Sequence, residues 1–387
     1  MLERVENSLP YFAILYAPLT LISISLAEIV LFTGIILYLF LISKGKYRFE
    51  YPKFFIPLIF YAGFSIISSF FSYLPLRSLF SLKELFLFLA VPFVFSVLKS
   101  EKDKIEKVNS YFFYTVLLSF LLSLFQFVYF ILKKSPSPRS FGFESHYMTQ
   151  AGIMMILAIY SITYILEKGK ESDYKIFGIF ALSTLSLLLT LTRSAWLGLI
   201  VAGAILVFRK KPILIFAGIF AIIIVFLIAP APLKNRILSF TNMKDITFQN
   251  RIIMIKKGIR MIKDKPLWGI GPGMVKYAYT VPRFKVEEKE ELHSHLHNNF
   301  IQIWAERGAF TVLSWLFFVA ILFYSLIKLK PDSKFFIIAR ESAIYIFIAF
   351  LIAGMFEFNF GDSEVLMVLF WFLTVPFLEG ETIKPDK

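Results

Sequence analysis

The chain has 387 residues, of which 58% are hydrophobic and 47 are phenylalanine. Its mean hydropathy of +0.71 is well above that of an ordinary soluble domain, which excludes most classes of water-soluble enzyme and predicts a polytopic membrane protein. The absence of cysteine excludes disulfides, iron–sulfur clusters and thiol chemistry. The formal net charge of +14 becomes informative once it is divided between the two sides of the membrane.

Apolar runs of nearly the length that crosses a bilayer recur along the chain, separated by polar residues, prolines and glycines. They predict an all-α integral membrane protein with about twelve transmembrane helices; some runs are short or fused, so ten or eleven are alternatives. The predicted spans are 9–26, 28–43, 54–72, 79–98, 109–132, 149–166, 175–191, 195–208, 213–229, 309–329, 340–360 and 364–379. The run from Leu9 to Ser43 is much longer than the apolar region of a signal peptide, so we expect no cleaved signal there.

Basic residues indicate the orientation of these spans, because Lys and Arg in short loops are retained in the cytoplasm. With a cytoplasmic N-terminus, the short outer loops hold only Arg77, Lys133, Lys134, Arg139 and Arg193. Both termini are therefore predicted to be cytoplasmic. Residues 1–229 would form spans one to nine, residues 230–308 a long periplasmic loop before the third-last span, and residues 309–387 the last three spans and a cytoplasmic tail.

The long loop is strongly basic, with 14 Lys and Arg residues against seven Asp and Glu residues. This charge favours an anionic substrate presented at the outer leaflet, and attraction to anionic lipid headgroups is the alternative. Within the loop, Thr247–Lys263 places isoleucines on one helical stripe and Arg251 and Lys257 off it. This pattern predicts an amphipathic helix that lies along the membrane interface and ends before Pro266.

Two arginines near apolar segments are candidate functional residues. Arg193 interrupts the apolar stretch LLLTLTRSAWLGL, where an arginine is costly and normally has a partner. Snorkelling from a helix end to the interface is the structural alternative. Arg139 lies in the predicted outer loop SPSPRSFGFESH. Further charges in apolar stretches, at Lys83, Glu84 and Glu357, indicate either a substrate path or local neutralisation.

Three of the four histidines occur together in the stretch HSHLHNNFIQIWAERGAFT, which begins at His293 beside a predicted span. Apolar residues at helical spacing between Asn298 and Arg307 predict a short surface helix with His297 at its N-terminus. An imidazole there is suited to act as a general base. Two alternatives remain, since histidines at alternate positions could bind a metal ion, and either His297 or Asn298 could cap the helix.

Three segments carry a family resemblance, and they are Thr192-Arg193-Ser194, the Arg251 helix followed by Pro266-Leu267-Trp268-Gly269-Ile270-Gly271, and His297-Asn298-x9-Gly308-x2-Thr311. These segments resemble the O-antigen ligase and O-antigen polymerase superfamily. The resemblance implies a helical fold in the bacterial inner membrane with a periplasmic cleft, and glycosyl transfer from an undecaprenyl-diphosphate-linked glycan without a metal or other cofactor. It also implies that Arg193 and Arg251 match the essential arginines and His297 the essential histidine. The segment from Arg139 to His146 resembles a further part of the family.

The chemistry of these residue types leads to the same site by a separate argument. Planar guanidinium groups bind phosphate oxygens through paired hydrogen bonds, so Arg193 and Arg251 could hold the diphosphate as the glycosidic bond breaks. His297 would take the proton of the acceptor hydroxyl, and the attack would invert the anomeric centre. This hypothesis requires the three side chains to surround one cleft. The predicted substrate-binding residues are Arg139, His146, Arg260, His295, Asn298 and Arg307.

Within this superfamily, a ligase joins glycan to lipid A–core and a polymerase joins one repeat unit to the next. The His-Asn-x9-Gly-x2-Thr spacing favours the ligase, although the additional His293 and His295 leave open which imidazole is the base. A lipid-glycan flippase or exporter is the alternative from another class. The distinctive polar residues cluster at one membrane face, which favours an enzyme. The expected partners are the lipid-linked donor, a lipid A–core or glycan acceptor and membrane lipids, with no nucleic acid.

Overall fold

The computed structural model describes residues 2–99, 101–240, 242, 246–287 and 291–380. In those residues the chain is helical and contains no β-strand, as the all-α prediction requires. The α-helices are α1 Leu2–Leu19, α2 Ile24–Ser43, α3 Phe55–Phe70, α4 Pro75–Phe80, α5 Ala90–Leu98, α6 Lys102–Glu106, α7 Val108–Leu132, α8 Tyr147–Lys168, α9 Tyr174–Leu189, α10 Arg193–Lys210, α11 Leu214–Ile228, α12 Ala231–Leu238, α13 Ile246–Asp264, α14 Val275–Ala278, α15 Asn299–Lys328, α16 Lys334–Gly354 and α17 Ser363–Thr374. The predicted cytoplasmic tail from residue 381 onward lies outside the described residues.

Six helical segments of the described chain are long and apolar enough to cross a membrane. They are Ile24–Ser43, Pro75–Leu98, Asp103–Leu132, Tyr147–Lys168, Asn299–Lys328 and Lys334–Gly354. Three shorter apolar helices, α3, α9 and α11, fall on further predicted spans. The other predicted spans are also helical, but α1 and α10 carry charged residues in their terminal turns and α17 has only 12 residues. These helices support a polytopic membrane fold, and the number of twelve spans stays a prediction.

The observed boundaries differ from the predicted spans at two places. The sequence predicts one span over residues 9–26, but α1 ends at Leu19 and the Ser23 hydroxyl caps α2 by accepting a hydrogen bond from the Leu26 amide at 3.3 Å. The span predicted to start at residue 309 is part of α15, which begins earlier because the Asn298 side chain caps it. Side-chain capping sets where α2 and α15 begin, and a hydropathy pattern does not detect such caps.

α15 contains a break at Gly308, whose φ of 81° and ψ of −179° lie outside the helical region. The predicted short surface helix is the part of α15 before this break. It is only partly at the surface, because Gln302 and Ile303 are buried where α15 packs against α3 and α13. A helical apolar stripe indicates that one face is covered, but it does not distinguish lipid from protein as the cover.

The turn formed by residues 266–271 fills the break in α15. The amides of Ile270 and Gly271 donate to carbonyl groups before the break, at 2.9 and 2.8 Å. Beyond the break, the Ala309 amide donates to the Pro266 carbonyl at 3.0 Å. The backbone groups that the break leaves unpaired therefore form hydrogen bonds with the turn instead of with the next residues of α15. Two of the segments that carry the resemblance thus form one structural unit.

Replacement of Gly308 with alanine is expected to destabilise the protein. Alanine rarely adopts a φ of 81°, and its Cβ would overlap the Leu267 carbonyl oxygen. Strain of this kind costs about 1–3 kcal/mol, so thermal unfolding of the detergent-solubilised protein, followed by circular dichroism, should occur at a lower temperature. Gly203→Ala in α10 is the control, because nothing lies within 4 Å of its Cβ position and alanine favours a helix. Equal losses in both variants would contradict this role of Gly308.

α8 lies at the centre of the bundle and packs against α9, α10, α16 and α17. Residues 149–160 of α8 are all buried. α11 is the opposite case, since none of its residues is buried, as expected for a helix that faces lipid. The central position of α8 means that the loops at its two ends lie over the middle of the bundle.

A charged cluster marks one end of this bundle. Lys210, at the end of α10, lies 2.5 Å from a Glu167 carboxylate oxygen of α8 and 3.5 Å from Glu341 of α16. Lys334, at the start of α16, lies 3.5 Å from the other Glu167 oxygen. The starts of α8 and α10 and the end of α16 must therefore meet at the opposite end. Arg193 is the first residue of α10 and lies at that end.

The described parts of residues 230–308 form a small layer with its own core. The side chains of this core include Met254, Met261, Ile270, Phe284 and Leu296. α13 differs by one residue at each end from the predicted helix, but its buried face is not the predicted isoleucine stripe. Lys257 is fully buried, donates to the Phe284 carbonyl at 3.1 Å and lies 4.1 Å from the centre of the Tyr279 ring. A lysine with such partners can be buried where its charge alone predicts exposure.

Candidate functional site

A cavity of about 270 Å³ opens at the end of the bundle where α10 begins. This arginine cavity is lined by Arg193, Ser194, Leu197, Ser239, Phe240, Asn242, Phe248, Arg251 and Phe356. The guanidinium carbon of Arg193 lies 6.0 Å from the centre of the Phe240 ring, and that of Arg251 lies 6.0 Å from the centre of the Phe356 ring. The structure therefore brings the two predicted arginines together in a pocket with aromatic walls.

Arg193 is positioned by the turn before α10 and by the chain after α12. Its Nη1 donates to the Ser239 carbonyl at 2.8 Å and to the Ser239 hydroxyl at 3.0 Å. Leu191 has a φ of 53°, which is unusual for a residue other than glycine, and the Arg236 Nε donates to its carbonyl at 2.9 Å. Such backbone strain is typical of functional sites, where the surrounding contacts compensate for it.

His297 makes a hydrogen bond with a carboxylate from a distant part of the chain. Its Nδ1 lies 2.9 Å from Oε2 of Glu357, in the connection between α16 and α17. Burial opposes the ionisation of Glu357, but the hydrogen bond with His297 and nearby positive charge, including that of Arg251, lower its pKa. The carboxylate therefore accepts a hydrogen bond from Nδ1–H, which leaves Nε2 as the basic nitrogen of the ring. This arrangement is suited to a general base.

Asn299 connects the start of α15 to the segment that carries Glu357. Its Nδ2 donates to Oδ1 of Asn359 at 2.7 Å, and its Oδ1 accepts a hydrogen bond from the Phe360 amide at 3.1 Å. The side chain of Asn299 is buried. Because Asn299 follows His297 by two residues, these contacts fix the distance between the imidazole and the carboxylate.

A second cavity, of about 610 Å³, contains all four histidines of the chain. This histidine cavity is lined by Glu84, Ser145, His146, Met148, Thr149, Leu292, His293, Ser294, His295, His297, Glu357, Phe358, Gly361, Asp362, Ser363 and Glu364. Burial lowers the pKa of His146, His293 and His295. These imidazoles are therefore mainly neutral at neutral pH and are suited to hydrogen bonds with an uncharged ligand.

The two cavities adjoin across two consecutive residues. Phe356 lines the arginine cavity, and Glu357 lines the histidine cavity. The sequence hypothesis requires one cleft around Arg193, Arg251 and His297, and the structure differs from it: Arg193 and Arg251 line one cavity and His297 lines a second, neighbouring cavity. The two cavities interact electrostatically, since the charge of Arg251 contributes to the lowered pKa of Glu357.

Three of the predicted substrate-binding residues, His146, His295 and Asn298, lie in or beside the histidine cavity. His146 and His295 line it. Asn298 caps α15 through its contact with the Ile301 amide at 2.9 Å, and its Nδ2 donates to a backbone carbonyl of the α16–α17 connection at 2.9 Å. The alternative that Asn298 is the helix cap is therefore confirmed.

Three predicted arginines line neither of the two cavities. Arg139 lies 4.4 Å from the centre of the Tyr147 ring at the start of α8, and Arg260 is exposed on α13. Arg307 is buried beside the break in α15, where its Nη1 donates to the Ser65 hydroxyl at 3.2 Å. It lines a small separate cavity together with Glu84, which also borders the histidine cavity.

The three clustered histidines contact one another through their rings. The centre of the His297 ring lies 6.2 Å from that of His293 and 6.0 Å from that of His295, with the ring planes nearly perpendicular. Across the described residues, no three His, Asp or Glu side chains are grouped so that they could hold a metal ion. The metal-site alternative therefore has no ligand set in this arrangement.

Sequence reasoning missed the partner of His297 and the acidic residues next to it. Glu357 was assigned only to a substrate path or to local neutralisation, and Asp362 and Glu364 were not assigned at all. The available signal was the segment EFNFGDSE at the edge of an apolar span, which holds three carboxylates. Nothing local in that segment predicts that it packs on His297, because the two are 60 residues apart in the chain.

Residues 178–316 match the family model described as O-antigen ligase. The match extends from α9 into α15 and includes Arg193, Arg251 and His297, whereas Glu357 lies beyond it. No curated protein matches the chain. The family implies a membrane enzyme with a glycosyltransferase-like activity. The match over this region supports the O-antigen ligase and polymerase superfamily that the sequence motifs predicted.

Proposed function

We propose that the protein is an O-antigen ligase, an inverting glycosyltransferase that moves glycan from undecaprenyl diphosphate to lipid A–core without a metal ion. The end of the bundle with both cavities would face the periplasm, and the protein would lie in the bacterial inner membrane with both termini in the cytoplasm. The observation that carries the proposal is the pair of His297 and Glu357 beside a cavity that holds Arg193 and Arg251.

The arginine cavity is suited to the diphosphate of the donor. Two guanidinium groups provide fixed positive charge and paired N–H donors, which stabilise the phosphate oxygens as negative charge develops on the leaving group. Phe240, Phe248 and Phe356 supply an apolar wall beside them, which fits the first isoprene units of a lipid carrier. Arg139, Arg260 and Arg307 stay proposed substrate contacts outside this cavity.

The histidine cavity supplies the base for the acceptor. Nε2 of His297 takes the proton of the acceptor hydroxyl while its oxygen forms a bond to the anomeric carbon. The bond from that carbon to the phosphate oxygen breaks, and undecaprenyl diphosphate leaves with the electron pair. Glu357 keeps the proton on Nδ1 and stabilises the imidazolium that forms. The anomeric carbon would lie where the cavities meet, beside Phe356 and Glu357, and attack from the face opposite the diphosphate inverts it.

A polymerase of the same superfamily would use the same residues on a different acceptor. The His-Asn-x9-Gly-x2-Thr spacing favours the ligase. Deletion of the gene, followed by electrophoresis of the cell-envelope lipopolysaccharide, separates the two. Core without any attached glycan indicates a ligase, whereas core with a single repeat unit indicates a polymerase. A flippase would move radiolabelled donor across proteoliposome membranes without forming a new glycosidic bond, and that result would exclude both enzymes.

Replacement of Asn299 with alanine is expected to lower both stability and transfer. It leaves Oδ1 of Asn359 and the Phe360 amide without these partners, at a cost of about 1–3 kcal/mol. The shift of Glu357 relative to His297 should reduce kcat/KM about 10- to 100-fold. The control is Asn109→Ala, which removes the acceptor of a 2.6 Å hydrogen bond from Tyr160 away from the cavities. Equal reductions of transfer in both variants would contradict a positioning role.

A further inference from the structure

We propose that the carboxylates of the histidine cavity select an acceptor sugar that carries no phosphate beside its reacting hydroxyl, so that the sugar is neutral or an amino sugar. This inference rests on the proposed function and specifies the substrate class of the same site. It also assigns the two substrates to the two cavities, with the anionic donor in the arginine cavity and the acceptor sugar in the histidine cavity.

The two cavities carry opposite charges. Among the described residues, the arginine cavity is lined by Arg193 and Arg251 and by no carboxylate. The histidine cavity is lined by no lysine or arginine, and its acidic residues are Glu84, Glu357, Asp362 and Glu364. Asp362 and Glu364 are hydrogen-bonded to each other, so this buried pair shares one proton and keeps one negative charge beside the ionised Glu357. A diphosphate is attracted to the first cavity and repelled by the second, so the adjoining pair separates the substrates by charge.

Asp362 and Glu364 form an acidic wall of the histidine cavity at the start of α17. Asp362 accepts a hydrogen bond from the Thr149 hydroxyl at 2.6 Å and caps α17 through the Val365 amide at 3.2 Å. Glu364 is 9% exposed in the first turn of that helix. Both side chains are thus held by the fold at the cavity and cannot turn away into solvent to make room for an anion.

Glu144, in the loop before α8, stays protonated mainly because it is buried, and the negative charge of this wall adds to the effect. It is 4% exposed, and its Oε1 has no hydrogen-bond partner among the described residues. Burial and the charges of Glu364 and Asp362 raise the pKa of Glu144 to about 9, so that it is protonated at neutral pH. An environment that keeps the Glu144 carboxyl group protonated also disfavours the negative charge of a sugar phosphate.

The same wall suits a sugar without phosphate. Carboxylate oxygens accept hydrogen bonds from sugar hydroxyls, and they bind an ammonium group more strongly still. The hydroxyls of Ser145, Ser294 and Ser363 line the cavity beside them and can both donate and accept. Neutral imidazoles at His146 and His295 add further polar contacts without adding positive charge.

The test uses two synthetic core oligosaccharide acceptors on lipid A that differ only in one phosphate beside the accepting hydroxyl. The full-length protein in proteoliposomes is supplied with undecaprenyl-diphosphate glycan, and kcat/KM is measured for each acceptor. We expect the wild type to use the acceptor without phosphate at least about tenfold better. Asp362→Asn and Glu364→Gln, alone and combined, should reduce this ratio toward one by lowering KM for the phosphorylated acceptor, with the donor KM unchanged.

Glu171→Gln, at the opposite end of the bundle, is the matched control and should keep the wild-type ratio. Both test substitutions retain a side-chain carbonyl oxygen, and melting temperatures identify any variant that has lost its fold. Equal use of both acceptors by the wild type would overturn the inference, as would a preference that neither substitution changes. Absence of transfer to either acceptor by the wild type would instead overturn the ligase assignment, and this inference with it.

Discussion

Replacement of His297 with alanine is expected to reduce glycan transfer by about 10²- to 10⁴-fold, which is the usual contribution of a general base. The loss should appear in kcat, with little change in the donor KM, because the imidazole acts on the acceptor hydroxyl in the transition state. The measurement uses purified protein in proteoliposomes with radiolabelled undecaprenyl-diphosphate glycan and lipid A–core. Its structural basis is the 2.9 Å contact between His297 Nδ1 and Glu357, which leaves Nε2 available to the acceptor.

A double-mutant cycle with Glu357→Gln tests whether the two residues act as one unit. The glutamine keeps a hydrogen-bond acceptor but removes the charge that stabilises protonated His297, so a smaller loss of about 10- to 100-fold is expected. The double variant should be no slower than His297→Ala alone, because the carboxylate acts through the imidazole. If the double variant lost activity by the sum of the two single effects on the activation free energy, Glu357 would have a role separate from that of His297.

His293→Ala is the matched control, since this histidine lines the same cavity without a comparable contact to Glu357. It should keep most of the transfer rate. The additional histidines left open which imidazole is the base, and the control addresses that question directly. Near-normal transfer by His297→Ala, together with a severe loss in His293→Ala or His295→Ala, would move the base to another ring of the cavity.

Replacement of Arg193 or Arg251 with lysine is expected to reduce transfer by about 10²- to 10³-fold. Lysine keeps the charge but lacks the planar pair of N–H donors that matches phosphate oxygens, so a charged substitute should not restore the rate. In Arg193→Lys the contacts with Ser239 at 2.8 and 3.0 Å are also altered. Steady-state kinetics with varied donor concentration measure the effect.

Lys256→Ala is the control for the arginine variants, because this residue is an exposed basic residue of α13, the helix that carries Arg251. Its removal lowers the positive charge of the layer without changing the cavity. Transfer within about threefold of the wild type is expected, as for a surface charge that acts only through the general field. If Arg193→Lys and Arg251→Lys both kept the wild-type transfer rate, the diphosphate would be held by charge alone, and the proposed paired hydrogen bonds would be wrong.

The site residues that could be predicted are those whose signal lies in the neighbouring sequence. Arg193 was found because an arginine in an apolar stretch is costly unless it has a partner or a function. Arg251 and His297 were found from motif spacing, and the helix around Arg251 from its 3.6-residue pattern. The sequence placed Lys257 off the apolar stripe of that helix but did not predict its burial, where the Tyr279 ring and the Phe284 carbonyl compensate for its charge. No local pattern contains these partners.

The sequence by itself predicted an all-α membrane fold, the clustering of arginines and histidines at one membrane face, and the superfamily that the family model supports over residues 178–316. Hydropathy, loop charge and motif spacing are properties of neighbouring residues, so they can be read without knowing the fold. Only the tertiary structure decided that Glu357 meets His297, that a distant turn fills the break at Gly308, and that arginines and histidines line two adjoining cavities. These features depend on contacts between segments far apart in the chain, and side-chain packing in three dimensions alone selects such contacts.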